Sequence, residues 1–269
     1  MKPKAILRMI SIPLLLAIWI MVSAPRGYAQ DVLKYACSSQ VYTAFSKEFI
    51  AEFTQATGIK VDVKTASSGS AAYRLVTGNC DIASTARKIY TRYSKYGYKD
   101  FEFCKDPIAV ILKKECGIDN LSENQLEDIF AGDIKNWKEV GGADLPILVI
   151  VPRRDTAAHE NFRRNIMKRK DIAYDFMADT STMVIEAVRY FPCGAVSFIS
   201  GGATMHYPSL KTIKISGLSP TDEGYPYYQI FYYVTKDEPS ENAKKFIDFT
   251  FSDHGSRIIR KYGMIPLPR

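Results

Sequence analysis

Residues 121–142 read LSENQLEDIFAGDIKNWKEVGG. Ser122 stands where a helix cap belongs, and Gln125 three residues later completes a capping box. Leu121 and Leu126 occupy the positions of a hydrophobic staple. Gly132 fits a left-handed C-terminal cap. The pattern predicts a helix of about ten residues, followed by a tryptophan and a Gly-Gly turn. Nothing in the stretch has obvious chemistry, so it is either a site or the frame around a site elsewhere.

Outward from this helix the chain keeps one grammar. Upstream, DVLKYACSS reads as a strand entering a serine-rich turn. Residues 41–54 read as a helix with Phe45, Phe49, Ile50 and Phe53 on one face, ended by Thr57-Gly58. IKVDVKT alternates Ile59, Val61 and Val63 as a strand does. SSGS leads into a short helix closed by Gly78, and CDIAST is the next strand. Strand–helix–strand–helix–strand argues for a parallel sheet with right-handed crossovers.

The quoted helix lies between the strands DPIAVIL (106–112) and LPILVIV (145–151). A helix over 157–167 follows, with Phe162 and Ile166 inward, then one capped at Thr180-Ser181-Thr182 and running to Tyr190. Pro192-Cys193-Gly194 turns into the strand AVSFIS. The C-terminal part reads as the strand YQIFYYVT (228–235) and two helices, one capped by Ser240 and one stopped by Gly263. YTRYSKYGY (90–98) reads as a solvated surface segment. The grammar restarts at residue 107. We therefore expect an α/β chain of two lobes joined at a hinge, each a mixed, mostly parallel sheet flanked by helices. Lobe 1 is expected over 30–106, lobe 2 over 107–200, and lobe 1 again over 201–269.

The first 29 residues read as a removable leader. Lys2, Lys4 and Arg8 precede an apolar run from Ile10 to Val22, and Gly27-Tyr28-Ala29 supplies small residues at −3 and −1 of a cleavage site. The apolar run is short for a membrane span of about 20 residues. A secreted, periplasmic chain is the expectation. Loss of Lys2, Lys4, Arg8 and Arg26 lowers the formal charge from +7 to +3. That balance argues against nucleic acid as a partner, which would call for clustered basic residues. The five cysteines show no CxxC spacing, which argues against zinc. Cys104 and Cys116, flanking the IAVIL run, are the expected pair if any forms.

Chemistry is expected in the turns after strands, because ligands in open α/β sheets bind at strand carboxyl ends. Three such turns are rich in small and hydroxyl residues: Ser38-Ser39-Gln40, Ser67-Ser68-Gly69-Ser70 and Thr156-Ala157-Ala158 after Arg153-Arg154. Each precedes a helix, whose first turn offers unpaired N–H groups and about half a positive charge. Converging, they suit a tetrahedral oxyanion, with Arg153 or Arg154 adding a two-pronged contact. His159, His206 and His254 have no metal-ligand spacing, and neither a GxSxG elbow nor a P-loop is present. An enzyme is not expected; a phosphate-ester hydrolase using Ser38 and His159 is the catalytic rival.

DIFAGDIKNWKEVGG (128–142) resembles a segment of the phosphate-binding proteins of phosphate ABC transporters, within the type II periplasmic solute-binding superfamily. SSQVYTAFSKEFIAEFTQATGIKV, SSGSAAYRLVTGNCDIASTARKI, VIEAVRYFPCGAVSFIS and KDEPSENAKKFIDFTFSDHGSRIIRKYGMIPL are similar to further family segments, so the resemblance covers nearly all of the mature chain. It makes 121–142 the frame of the second lobe. It implies a two-lobed fold with a two-strand hinge and no cofactor. The chain would be a monomer that captures phosphate or a similar small anion and delivers it to a membrane ABC transporter permease. A ligand-sensing or degenerate module acting on a membrane signalling partner is the alternative. By position, Ser38, Ser39, Gln40 and Val41 match the first phosphate loop; Ser67, Ser68 and Gly69 match the second. Arg87 matches an arginine after the third strand, and Arg153 or Arg154 with Thr156 falls at the family's arginine and Ser-Gly-Thr turn. The chain departs from the pattern at Ala86, where several members carry a proton-accepting aspartate, and at Asp155-Thr156-Ala157-Ala158.

Overall fold

The computed structural model describes residues 32–89 and 91–269. The expected leader lies outside them. In chain order the elements are β1 (Val32–Ser38), α1 (Ser39–Val41), a π-helical turn (Tyr42–Ser46), α2 (Lys47–Thr57), β2 (Lys60–Ala66), α3 (Ser68–Val76), β3 (Ile82–Thr85), α4 (Thr91–Ser94) and β4 (Tyr98–Lys113). There follow β5 (Asn120–Leu121), α5 (Glu123–Ala131), a 3-10 turn (Trp137–Val140), β6 (Leu148–Pro152), α6 (Ala157–Asn165), β7 (Phe176–Ala178), α7 (Ser181–Tyr190) and β8 (Ala195–Ser200). The chain ends with α8 (Gly201–Thr204), β9 (Leu210–Thr212), β10 (Lys214–Ile215), β11 (Tyr228–Lys236), α9 (Glu241–Phe251), α10 (Asp253–Lys261) and β12 (Ile265–Pro266).

The main sheet has the order β2-β1-β3-β11-β4-β8-β6-β7, with β9 and β12 pairing β4. β1 runs parallel to β2 and β3, and β6 parallel to β7 and β8. β4 runs antiparallel to β11 on one side and to β8 on the other. It pairs β11 from Tyr98 to Pro107 and β8 from Ile108 to Ile111, so one 16-residue strand passes between two half-sheets. Sequence reading found only its second half. YKDFEFCK alternates charged with aromatic residues and looks exposed, but Phe103 and Cys104 are fully buried.

Each half-sheet has its own core. Tyr35, Phe45, Phe49, Phe53, Phe103, Tyr233 and Phe246 pack in the first, with Phe103 stacked on Tyr233 at 4.2 Å. Phe130, Trp137, Phe162 and Phe198 belong to the second, with Phe162 stacked on Phe198 at 3.8 Å. Each fully buried ring contributes about 2–3 kcal/mol relative to exposure. Ile213, Ile215 and Tyr225 also sit in the second core. The small β5–β10 sheet holds this segment beside α5, whereas α8 and the turn after it touch the first half, with His206 Nε2 3.1 Å from Ala44 O, and β11 is the strand that re-enters the first half-sheet.

The quoted stretch is frame. Ser122 Oγ accepts from Gln125 N, and Gln125 Oε1 accepts from Ser122 N at 2.9 Å. Gly132 takes φ +84°, the left-handed cap that glycine permits without strain. Trp137 is buried and its Nε1 donates to Gly194 O at 3.1 Å, tying the turn to the entry of β8. The expected Cys104–Cys116 pair does not form. Cys104 lies in the first core and Cys116 in the second, separated along an extended strand at about 3.3 Å per residue. That far exceeds the Cα spacing of about 7 Å beyond which a disulfide cannot close.

Candidate functional site

The helical run from α1, and helices α3, α6 and α7, begin at a single small cavity. It is lined by Ser38, Ser39, Gln40, Ser67, Ser68, Thr156, Ala157, Ala158, Asp179 and Ser181. Each start is capped by a hydroxyl: Ser38 Oγ accepts from Val41 N, Ser67 Oγ from Ser70 N, Thr156 Oγ1 from His159 N and Thr180 Oγ1 from Met183 N. The first-turn amides after each cap have no acceptor within their helix. The four dipoles therefore point their positive ends at one place.

The hydroxyls differ in what they leave free. Thr156 Oγ1 already donates to Arg153 O at 2.6 Å, so its proton is committed. At α6 the donors facing the cavity are the amides of Ala157 and Ala158, and a backbone N–H does not depend on its side chain. The Ala-Ala departure therefore removes a hydroxyl without removing this helix terminus. Ser68 Oγ accepts from Ala86 N at 3.0 Å, which ties α3 to the end of β3 and leaves its own proton to donate.

Gln40 is turned inward. Its Nε2 donates to Gln229 Oε1 at 2.6 Å; Asn161 Nδ2 donates to the same oxygen at 2.9 Å and to Ala86 O at 2.7 Å. Gln229 Nε2 donates to Asp106 Oδ2 at 2.6 Å, and Asp106 Oδ1 accepts from Ser200 Oγ at 2.9 Å and Gly202 N at 3.1 Å. This buried network lies where β4 and β11 pass between the half-sheets. Val41 is wholly buried in the first core and does not line the cavity.

The arginines go elsewhere. Arg153 makes a two-pronged contact with Asp155, at 3.1 and 3.0 Å, and stands 3.8 Å from Asp179. Asp155 thereby meets a cation instead of the cavity. Arg154 lies over the Tyr174 ring at 5.5 Å and lines a different hollow with His159, Glu160 and Arg163. Neither arginine lines the helix-start cavity, because each has a closer partner on its own side of α6. Arg87 and Gly69 line a hollow next door, sharing Ser68 with the first, and Arg87 Nη1 donates to Glu160 Oε2 at 3.0 Å. His159 is buried with Nδ1 3.0 Å from Pro152 O, and burial holds its pKa below the usual histidine range. Asp179 and Ser181 are the lining residues that sequence reading did not place at the site. The Thr180-Ser181 cap was the available signal.

The chain matches the PBP superfamily domain over residues 23–254. A phosphate-binding protein PstS of Staphylococcus aureus is 25% identical over 232 residues, covering 78% of this chain and 70% of that protein. A phosphate ABC transporter substrate-binding protein with bound phosphate from Clostridium perfringens has the same fold, with TM-score 0.77 at 24% identity, covering 88% of this chain and 100% of that one. An ABC-type phosphate transport receptor from Vibrio cholerae gives TM-score 0.64 at 26% identity, covering 87% and 99%. Two half-sheets with separate cores, joined through β4 and β11, form the two-lobed type II arrangement that the resemblance implied. The chain belongs to the PBP superfamily.

Proposed function

We propose that this protein is an exported solute-binding protein that captures phosphate between its lobes and presents it to the permease of an ABC transporter. The observation that carries the reading is the convergence of four helix starts on one cavity, three of them with their capping hydroxyls. Such a site neutralises an oxyanion with uncharged donors and leaves closure free to respond to it. The similar proteins from Staphylococcus aureus, Clostridium perfringens and Vibrio cholerae are named for phosphate binding or transport, which supports the same ligand. Ser38, Ser39 and Ser68 line the cavity with the amides of Ala157 and Ala158, and are its proposed donors; Ser67 lines it too, but its hydroxyl donates to Ser70 Oγ at 3.1 Å.

Closure is a hinge motion at the two passages between lobes, one at Asp106-Pro107 and one at Tyr228. Lobe 1 ends at 106 and resumes at 228. The chain acts as a periplasmic monomer after loss of residues 1–29. A hydrolase reading is not supported by the geometry, since His159 is held by Pro152 O and lines a different hollow from Ser38.

The test is thermal unfolding of ligand-stripped protein against phosphate, sulfate and small organic anions. Phosphate at 100 times its dissociation constant adds about 2.7 kcal/mol, a shift of roughly 5–10 °C for a chain of this size. A shift with phosphate is the expected result. An unchanged Tm with every anion would overturn the reading.

A further inference from the structure

Cys116 lies in the turn after β4 and Cys193 in the turn before β8. These strands are antiparallel neighbours, with Ile108 opposite Ser200 and Ile111 opposite Ser197. Carried outward, that register sets residue 115 opposite residue 193. Both cysteines line one largely apolar cavity of about 220 Å³ with Ile118, Trp137 and Leu145. The two thiols are near enough that Cys193 acts on the ionisation of Cys116. The backbone beside Cys193 is fixed, since Gly194 O accepts from Trp137 Nε1 at 3.1 Å and from Leu148 N at 2.9 Å. All five cysteines are free thiols in this structure. Cys37 and Cys104 are sealed in the first core.

We propose that Cys116 and Cys193 are an oxidisable pair that closes to a disulfide when the protein meets a disulfide oxidant. Cys193 is the more exposed thiol and reacts first. Its thiolate attacks the oxidant's disulfide and expels one thiolate, leaving a mixed disulfide. The Cys116 thiolate then attacks the Cys193 sulfur, forms the internal S–S bond and expels the second thiolate. The protein loses two thiol protons and two electrons; the oxidant's disulfide becomes two thiols. Burial, with Cys193 alongside, pushes the Cys116 thiol up to about 11, so the closing step speeds up as pH rises. The bond staples the far end of the second half-sheet. The helix-start cavity lies past the C-terminal end of β6, which runs parallel to β8, whereas Cys193 precedes the N-terminal end of β8. Anion binding is therefore left alone.

The experiment takes the full chain, reduced, and treats it with oxidised glutathione at about pH 8, near the ordinary cysteine pKa. Thiols are counted after denaturation, and digests are read by mass spectrometry. The expected result is a fall from five thiols to three, with one peptide pair joined through Cys116 and Cys193. The Tm should rise by several degrees, reversibly with dithiothreitol, and phosphate affinity should stay within twofold of the reduced protein. Cys116→Ser should trap one glutathionyl group on Cys193, as the first step requires, and form no internal bond. Five surviving thiols, a link through any other cysteine, or a wild-type adduct on Cys193 that never closes would overturn the proposal. A failure of anion binding in both redox forms would count against the transport reading and leave this one standing.

Discussion

Arg87, two residues past β3, donates from Nη1 to Glu160 Oε2 at 3.0 Å, and Glu160 lies in the first turn of α6. The contact joins the two half-sheets beside the helix-start cavity. Its guanidinium side chain is 18% exposed and its carboxylate 47%, so the pair is partly screened.

Glu160→Gln tests this contact as a latch. A half-exposed pair contributes about 0.2–1 kcal/mol. If it holds the closed form, the variant should bind phosphate about two- to fivefold more weakly, through faster dissociation in stopped-flow measurements. Added salt should weaken the wild type more than the variant. Tighter binding by Glu160→Gln would give the opposite role: a contact that works against anion binding.

Asp179 is the carboxylate among the residues lining a cavity otherwise built from hydroxyls, amides and Gln40. A carboxylate accepts hydrogen bonds and cannot donate them while ionised. Hydrogen phosphate brings a proton to such a group, and sulfate at neutral pH brings none. Asp179→Asn should therefore narrow the preference for phosphate over sulfate by about tenfold or more, the loss of one charge-assisted contact at roughly 1.5–3 kcal/mol. Calorimetric titration of both anions against both proteins measures it. An unchanged ratio would assign the discrimination to other groups.

The parts of this molecule that were readable in the sequence are the local ones. Ser122 with Gln125, Thr180 with Met183, and Ser240 with Ala243 are caps written within three residues, and each forms as read. The serine turns after β1 and β2 were readable for the same reason. Where a long side chain goes is decided by partners distant in sequence. Arg154 is drawn to Tyr174, and Gln40 to Gln229, 189 residues away. The pairing of β4 with β11 is likewise long-range. It buries Phe103 in a segment whose alternation with Lys99, Glu102 and Lys105 reads as surface.

Gly201 packs against Pro107, at the passage of β4 between the lobes, with little room to spare. A Cβ there would stand 2.5 Å from Pro107 Cγ and 2.9 Å from Pro107 O. Overpacking of this kind costs about 1–3 kcal/mol. Gly201→Ala should lower Tm by roughly 3–10 °C. Gly117→Ala is the control, because its Cβ would meet nothing within 4 Å and its φ is not positive. Equal Tm values for the two variants would mean that β4 and α8 can separate at this point without cost.

Asp106 is fully buried, and burial pushes its pKa up to about 7 against the pull of Gln229, Ser200, Gly202 and Gly201, all uncharged donors. Cys104 and Tyr225 are the titratable groups that feel its charge, and burial raises both, so they stay neutral through this range. An unfolded aspartate loses its proton near 3.9. Between that value and about 7 the folded chain holds a proton that the unfolded chain has lost. The Asp106 contribution is thus fully present below about pH 4, falls as pH rises, and is gone above about pH 7, a loss of up to a few kcal/mol. His159 acts in the opposite sense: its pKa is lowered on folding, so its contribution grows as pH rises toward 6.5. Comparing wild type with Asp106→Asn, which leaves His159 in place, separates the two. The urea midpoint of the wild type, relative to that of Asp106→Asn, should fall between pH 5 and pH 7.5. A constant difference across that range would mean that Asp106 stays ionised at the hinge, held by its four neutral donors, and that the pH response arises elsewhere.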